Sequence, residues 1–331
     1  MILQDSLLVI LVMLVDQIPM LPAPPKRGRG HPFVYGNALF LKALVIMTVK
    51  QVFTVHGFLG ILAQPTAEMH RVRQMLTDDQ GRFPHRRTWE RRLASLPNSL
   101  PAQIACLGCL LVAVLRPWAR CGRAAAIDST VLQARGGVWH KKDRETGIVP
   151  HSSIDTEAHW TKSGWHGWVY GWKLHVVCTA AAVWIPLAAH LTPANAADNA
   201  EAPPLIRDLP DEVHFLLGDQ HYRDVALETL CAQRNCILVT TQSGKGHPYP
   251  HTDPGVEVRR LLHKTRSVAI ENFNEQFKGI FDGHGSVPTR GLAATRRFAL
   301  GAILVYQLTL LYRYQHNLDL RLGLKACLKA A

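Results

Sequence analysis

The sequence predicts an α/β protein, a mixed sheet with helices on both faces, preceded by an all-helical N-terminal region. Three observations carry this. Up to about residue 115 the apolar residues come in long helical runs, and from residue 124 they come in short runs rich in β-branched and aromatic residues. In that second part, strand-like and helix-like segments alternate, as layered α/β folds require. A late segment, RSVAIENFNEQFK, and the residues just after it place Ile270, Phe273, Phe277 and Phe281 at helical spacing and so define a buried stripe.

In chain order, residues 1–20 read as an apolar helix ended by the Pro-rich, basic LPAPPKRGRGHP. NALFLKALVIMTVKQVFTVHGFLGILAQ reads as a second helical region and TDDQGRF as a polar stretch. RRTWERRL after Pro84 reads as a basic helix offering Arg86, Arg87, Arg91 and Arg92 to phosphates. IACLGCLLVAVL is a core helix in which Cys106 and Cys109 are expected as buried thiols. AAAIDSTVL is a strand, and 133–164 is polar, read as one long loop. WVYGWKLHVVCTAA and WIPLAAHLT form an antiparallel hairpin. NAEAPPLIRDL is a helix, HFLLGD a strand, DVALETLCAQRN a helix and CILVTT a strand. The helix around Glu271 follows, then a helical end that starts with Arg290, Arg296 and Arg297, cations expected to flank the acidic residues and meet DNA. The order β–β–β–α–β–α–β followed by a helix is that of an RNase H-like fold. The expected division is a helical DNA-end-binding region over 1–115, a catalytic domain over 116–315 and a tail over 316–331.

Composition narrows the function. With 331 residues and 47% hydrophobic content the chain is core-forming, and 37 Lys and Arg against 25 Asp and Glu give a net charge of +12. That excess fits a polyanion binder, although a merely basic protein has the same composition. The seven Cys are scattered and complete no zinc or disulfide framework. The apolar start lacks a basic flank and a small-residue cleavage site, and no run is long enough to span a membrane. The expectation is a cytoplasmic, nucleoid-associated protein.

Three carboxylates are candidates for chemistry. Asp128 lies within an apolar strand, where a charge is expensive unless a cation or partner neutralises it. Asp219 ends LLGD, where Gly218 permits close backbone approach. Glu271 shares a polar helix stripe with Glu275, Lys278 and Asp282. Two Asp from strands and a Glu from a helix suit a pair of Mg²⁺ ions on a phosphodiester. Each also has a plainer reading: a turn residue for either Asp, a solvated helix face for the Glu.

These motifs together resemble the DDE-type transposases of bacterial insertion sequences, over about residues 120–315. The carriers are AAAIDST, the Gly- and Trp-rich SGWHGWVYGWKLHVV, GDQHY with Tyr222, and Arg266, Glu271 and Lys278 in one helix. The resemblance implies an RNase H-like core in which Asp128, Asp219 and Glu271 bind two Mg²⁺, with Mn²⁺ as a substitute. It implies cleavage at terminal inverted repeats, transfer of the 3′-hydroxyl into target DNA, and a homodimer on DNA. Lys278 and Arg266 would then hold phosphates. A DNA-binding relic without catalysis, or a metal-dependent nuclease of the same fold, are the alternatives.

Among the crowded aromatics, Trp168 and Trp172 are expected in the core, and Trp165 is the candidate for stacking on an unpaired base. Asp198 or Asn199 is read as a helix cap.

Overall fold

The computed structural model describes residues 5–21, 35–119, 122–164, 167–240, 256–280, 285–321 and residue 327. The N-terminal part is helical: α1 (Leu7–Leu14), α2 (Asn37–Val49), α3 (Val55–Leu62), α4 (Ala67–Gln74), α5 (Arg86–Ser95) and α6 (Leu100–Ala119). Hydroxyl caps start three of these helices, with Ser6, Thr54 and Thr66 accepting from the backbone N–H three residues on. The second helical region is divided at Gln51, whose φ of 53° ends α2 before α3 begins. The basic helix α5 docks through Trp89, ringed by Phe40, Phe58 and Phe83 at centroid distances of 5.2, 5.3 and 5.6 Å.

The sheet follows, as β1 (Ala124–Gln133), a short α7 (Lys141–Glu145), β2 (His159–Ser163), β3 (Gly167–Thr179), β4 (Pro186–Pro193), α8 (Asp198–Arg207), β5 (Phe215–Leu217), α9 (Val225–Gln233) and β6 (Ile237–Val239). Two long helices close the fold, α10 (Val256–Gly279) and α11 (Leu292–Gln315). The strands run β2-β3-β1-β5-β6, with β4 also on β3. β1, β2, β3 and β4 pair antiparallel, whereas β1, β5 and β6 are parallel. This is the mixed sheet expected. The stretch read as a long loop is the exception, because it contains α7 and the edge strand β2, which pairs with the first five residues of β3. Its polar sequence suits an edge strand and so hid it.

α11 is apolar all round, and its residues from Phe298 to Leu311 are buried. Such a helix belongs inside a protein, and it touches α1, α2 and α6 on one side and β4 on the other. Gln307 within it donates from Nε2 to the carbonyls of Ile104 and Pro186, both at 2.8 Å. One hydrophobic cluster therefore runs from the N-terminal helices into the sheet. Among the described residues no single helix is long and apolar enough to cross a membrane. Cys109 is exposed and Cys106 half-buried, so the expectation of two buried thiols on α6 is corrected.

Candidate active site

The register of two parallel strands builds the site. β5 pairs with the start of β1, Leu217 lying opposite Ala126. Two residues further along each strand come Asp128 and Asp219, side by side at the point where β5 ends. Asp219 is fixed by the turn that follows. Its Oδ1 accepts the backbone N–H of His221 at 2.8 Å, and His221 Nδ1 stands 2.9 Å from its Oδ2. Gly218 is required there because a Cβ would come within 2.9 Å of the Tyr222 side chain, which folds back beneath the turn. Tyr222 is buried, and its hydroxyl has no partner among the described residues.

Arg266 of α10 closes the pair. Its Nη2 lies 3.3 Å from Asp128 Oδ2 and 4.0 Å from Asp219 Oδ2. Asp128 Oδ1 accepts the N–H of Ser129 at 2.8 Å. Burial lifts the Asp128 carboxyl from its ordinary 3.8 to about 6, against the opposing pull of Arg266 and of the Ser129 amide. The hydrogen bond to Asp219 raises the pKa of His221. Burial, with Arg266 nearby, lowers that of His263, one turn before Arg266.

Glu271 stands apart. Ile270, Phe273 and Phe277 are buried as the spacing predicted, and they fix the rotation of α10. Five residues at about 100° each put Glu271 about 140° around the helix from Arg266. It is exposed, as are Glu275 and Lys278, while Phe281 and Asp282 of the two expected stripes lie outside the described residues. Among the described residues no three His, Cys, Asp or Glu side chains are grouped so as to hold a metal ion. The structure thus assembles two of the three carboxylates and puts a guanidinium between them. That donor chemistry still fits a hard divalent cation, since two carboxylate oxygens converge on one positive atom and Asp128 is desolvated beyond what Arg266 offsets.

The stretch 119–308 of the chain matches the family described as "Transposase DDE domain". The chain belongs to the DDE transposase family. No curated protein matches its sequence. Among solved structures, the cryo-EM structure of a piggyBac transposase synaptic complex with hairpin DNA is similar at 10% identity and a TM-score of 0.42, over 98% of this chain and 78% of that one.

Several cations expected to meet DNA make bonds within this family member. Arg92 donates to Asn37 Oδ1 at 2.5 Å and lies over the Phe40 ring, 4.5 Å from its centroid. Arg296 donates to Leu191 O and Arg297 to Leu93 O, at 2.9 and 3.1 Å. Arg290 donates to the carbonyls of Ser152 and Ile154. These four join segments distant in sequence, so part of each donor fork is committed within the protein, although Arg290 remains exposed and Arg92, Arg296 and Arg297 are only partly buried. Arg86, Arg87 and Arg91 are exposed on α5, Arg86 pairing with Glu90 at 2.8 Å. Lys278 lines an open cavity of about 570 Å³ together with Gln133, Trp160, Trp168 and Tyr170.

Trp165 lies outside the described residues. Trp172 is buried as expected, but Trp168 is 68% exposed, because it precedes the part of β3 that the sheet covers on both sides. Asp198 does not cap α8; it is the first helical residue and takes Lys173 Nζ at 3.1 Å, with His175 Nδ1 at 3.6 Å. Sequence reasoning missed His221 and Lys173. The first was signalled by its place two after Asp219, the second as a lone cation in an apolar strand.

Proposed function

We propose that this chain is an insertion-sequence transposase that cleaves at the transposon ends and transfers the 3′-hydroxyl into target DNA. The observation that carries the reading is the adjacency of Asp128, within β1, and Asp219, just past the end of the parallel β5, both turned to one cationic atom. A hard divalent cation fits there, and Asp128, Asp219 and Glu271 are the residues that would hold it. Glu271 follows Arg266 by about 7.5 Å along α10 and faces away from the pair, so its part in the set requires α10 to be repositioned when DNA and metal bind. When bound, two Mg²⁺, or Mn²⁺, supply the charge that activates the attacking oxygen and steadies the leaving one.

The chain's own residues do the rest. His221 and the Ser129 amide orient the two Asp. Lys278 and Arg266 bind phosphates near the cut, and Arg86, Arg87 and Arg91 hold the flanking duplex, positioning DNA without reading its sequence. Trp168, beside the cavity that Lys278 lines, offers an aromatic surface to an unpaired base. The reading includes a homodimer on DNA, DNA-end binding by the region 1–115, catalysis by 116–315, and a place on the bacterial nucleoid.

The test is incubation of the purified chain with labelled terminal DNA and Mg²⁺. Joined products support transposition. Cleavage without joining means a nuclease of the same fold, and binding without cleavage means a relic.

A further inference from the structure

Resting on that reading, the geometry points to Arg266 as a built-in counter-ion that occupies the Asp128–Asp219 pair in the metal-free protein and is displaced when a divalent cation binds. A single atom makes the case. Arg266 Nη2 lies 3.3 Å from Asp128 Oδ2 and 4.0 Å from Asp219 Oδ2, the position of a cation bridging the two. The other oxygens are committed to the backbone: Oδ1 of Asp128 accepts from Ser129 N and Oδ1 of Asp219 from His221 N, both at 2.8 Å. The backbone thus turns both Oδ2 atoms toward Arg266, and no other cation of the described residues pairs with them apart from the His221 ring.

The occupancy is loose. Charge-assisted N–H···O bonds run to about 2.7–2.9 Å, and both contacts are longer. The Arg266 side chain is only 11% exposed, yet its Nε is buried without an acceptor among the described residues. Arg266 is held here by charge, with part of its donor fork unsatisfied. A hard cation forms oxygen bonds of about 2.0–2.1 Å and would draw both carboxylates in. The freed fork matches a phosphate oxygen pair better than it matches these two separated carboxylates. Arg266 is then a positioning residue that exchanges one anion for another, coupling the loss of the latch to the arrival of DNA.

The competition is measurable without any turnover. Mn²⁺ is titrated by calorimetry into the full chain without DNA, for the wild type, R266Q, R266K and D219N. Removing a unit charge within about 4 Å of the pair should tighten Mn²⁺ binding by at least about tenfold in R266Q. R266Q should also melt below the wild type in EDTA and gain more from added Mn²⁺, because its carboxylates repel with nothing between them. Wild-type or weaker Mn²⁺ affinity in R266Q overturns the latch while leaving the metal site standing. Should R266Q not fold, R266K decides, since its smaller head spans the pair poorly and an unchanged affinity refutes the proposal. If the wild type binds Mn²⁺ no better than D219N does, both the latch and the metal-site reading fall.

Discussion

Asp128→Asn should stabilise the metal-free protein at pH 8 while removing its chemistry. The Asp128 carboxyl rises from 3.8 to about 6 on folding, chiefly because burial strips its water. Each pH unit between two such values corresponds to about 1.4 kcal/mol, so ionised Asp128 costs the fold about 2–3 kcal/mol; its side chain is 25% exposed, which favours the lower figure. The sign follows from the direction of the change. Below about pH 4 the carboxyl is protonated in both states and contributes nothing. Between about pH 4 and 6 the folded state keeps a proton that the unfolded chain has lost, so stability falls as pH rises. Above that window the full cost is present. Buried His175 and half-buried His190 are pushed the other way by desolvation, so the wild-type curve alone mixes opposite trends, and the difference between the two proteins isolates Asp128. Urea unfolding in EDTA at pH steps from 4.5 to 8 reads it. A gap that opens with pH to about 2 kcal/mol in favour of the variant is expected. A gap that does not change with pH, or a variant less stable than the wild type at pH 8, would refute the argument that Arg266 under-compensates this charge.

Three further outcomes follow. Glu271→Gln should abolish cleavage of terminal DNA and leave its affinity nearly unchanged, whereas Glu275→Gln, on the same exposed stripe, should remain active; the reverse pattern means that the register on α10 is wrong. Arg87→Ala and Arg91→Ala should each lower the slope of log affinity against log salt by about 1, measured by fluorescence anisotropy. Arg297→Ala should leave the slope alone and cost about 1–3 kcal/mol of stability, since it strands the carbonyl of Leu93. Gly218→Ala should cost about 1–3 kcal/mol and reduce cleavage, because its Cβ would press on Tyr222 at 2.9 Å and move the Asp219 turn; an unchanged urea midpoint would show that Tyr222 gives way freely.

Much of the core was legible because its signals are local. AAAIDST and HFLLGD are short apolar runs ending near an Asp, and the buried stripe Ile270, Phe273, Phe277 needs only helical spacing. The edge strand β2 was not legible, since a polar strand shows no alternation and gains its pairing only from β3. The number of basic residues was legible too, but not which of them face solvent. Arg92, Arg296 and Arg297 are spent on Asn37, Leu191 and Leu93, partners 55, 105 and 204 positions away.

The sequence by itself determined the element order, the positions of the acidic residues on those elements and the family pattern that they spell. Only the tertiary structure decided that Asp128 and Asp219 stand together, because their adjacency depends on β5 pairing in parallel with β1 across ninety-one residues of chain. It also decided that Arg266 faces them and Glu271 does not. Helical periodicity gives the angle between two residues on α10, but the packing of Phe273 and Phe277 into the core sets which of them points at the site.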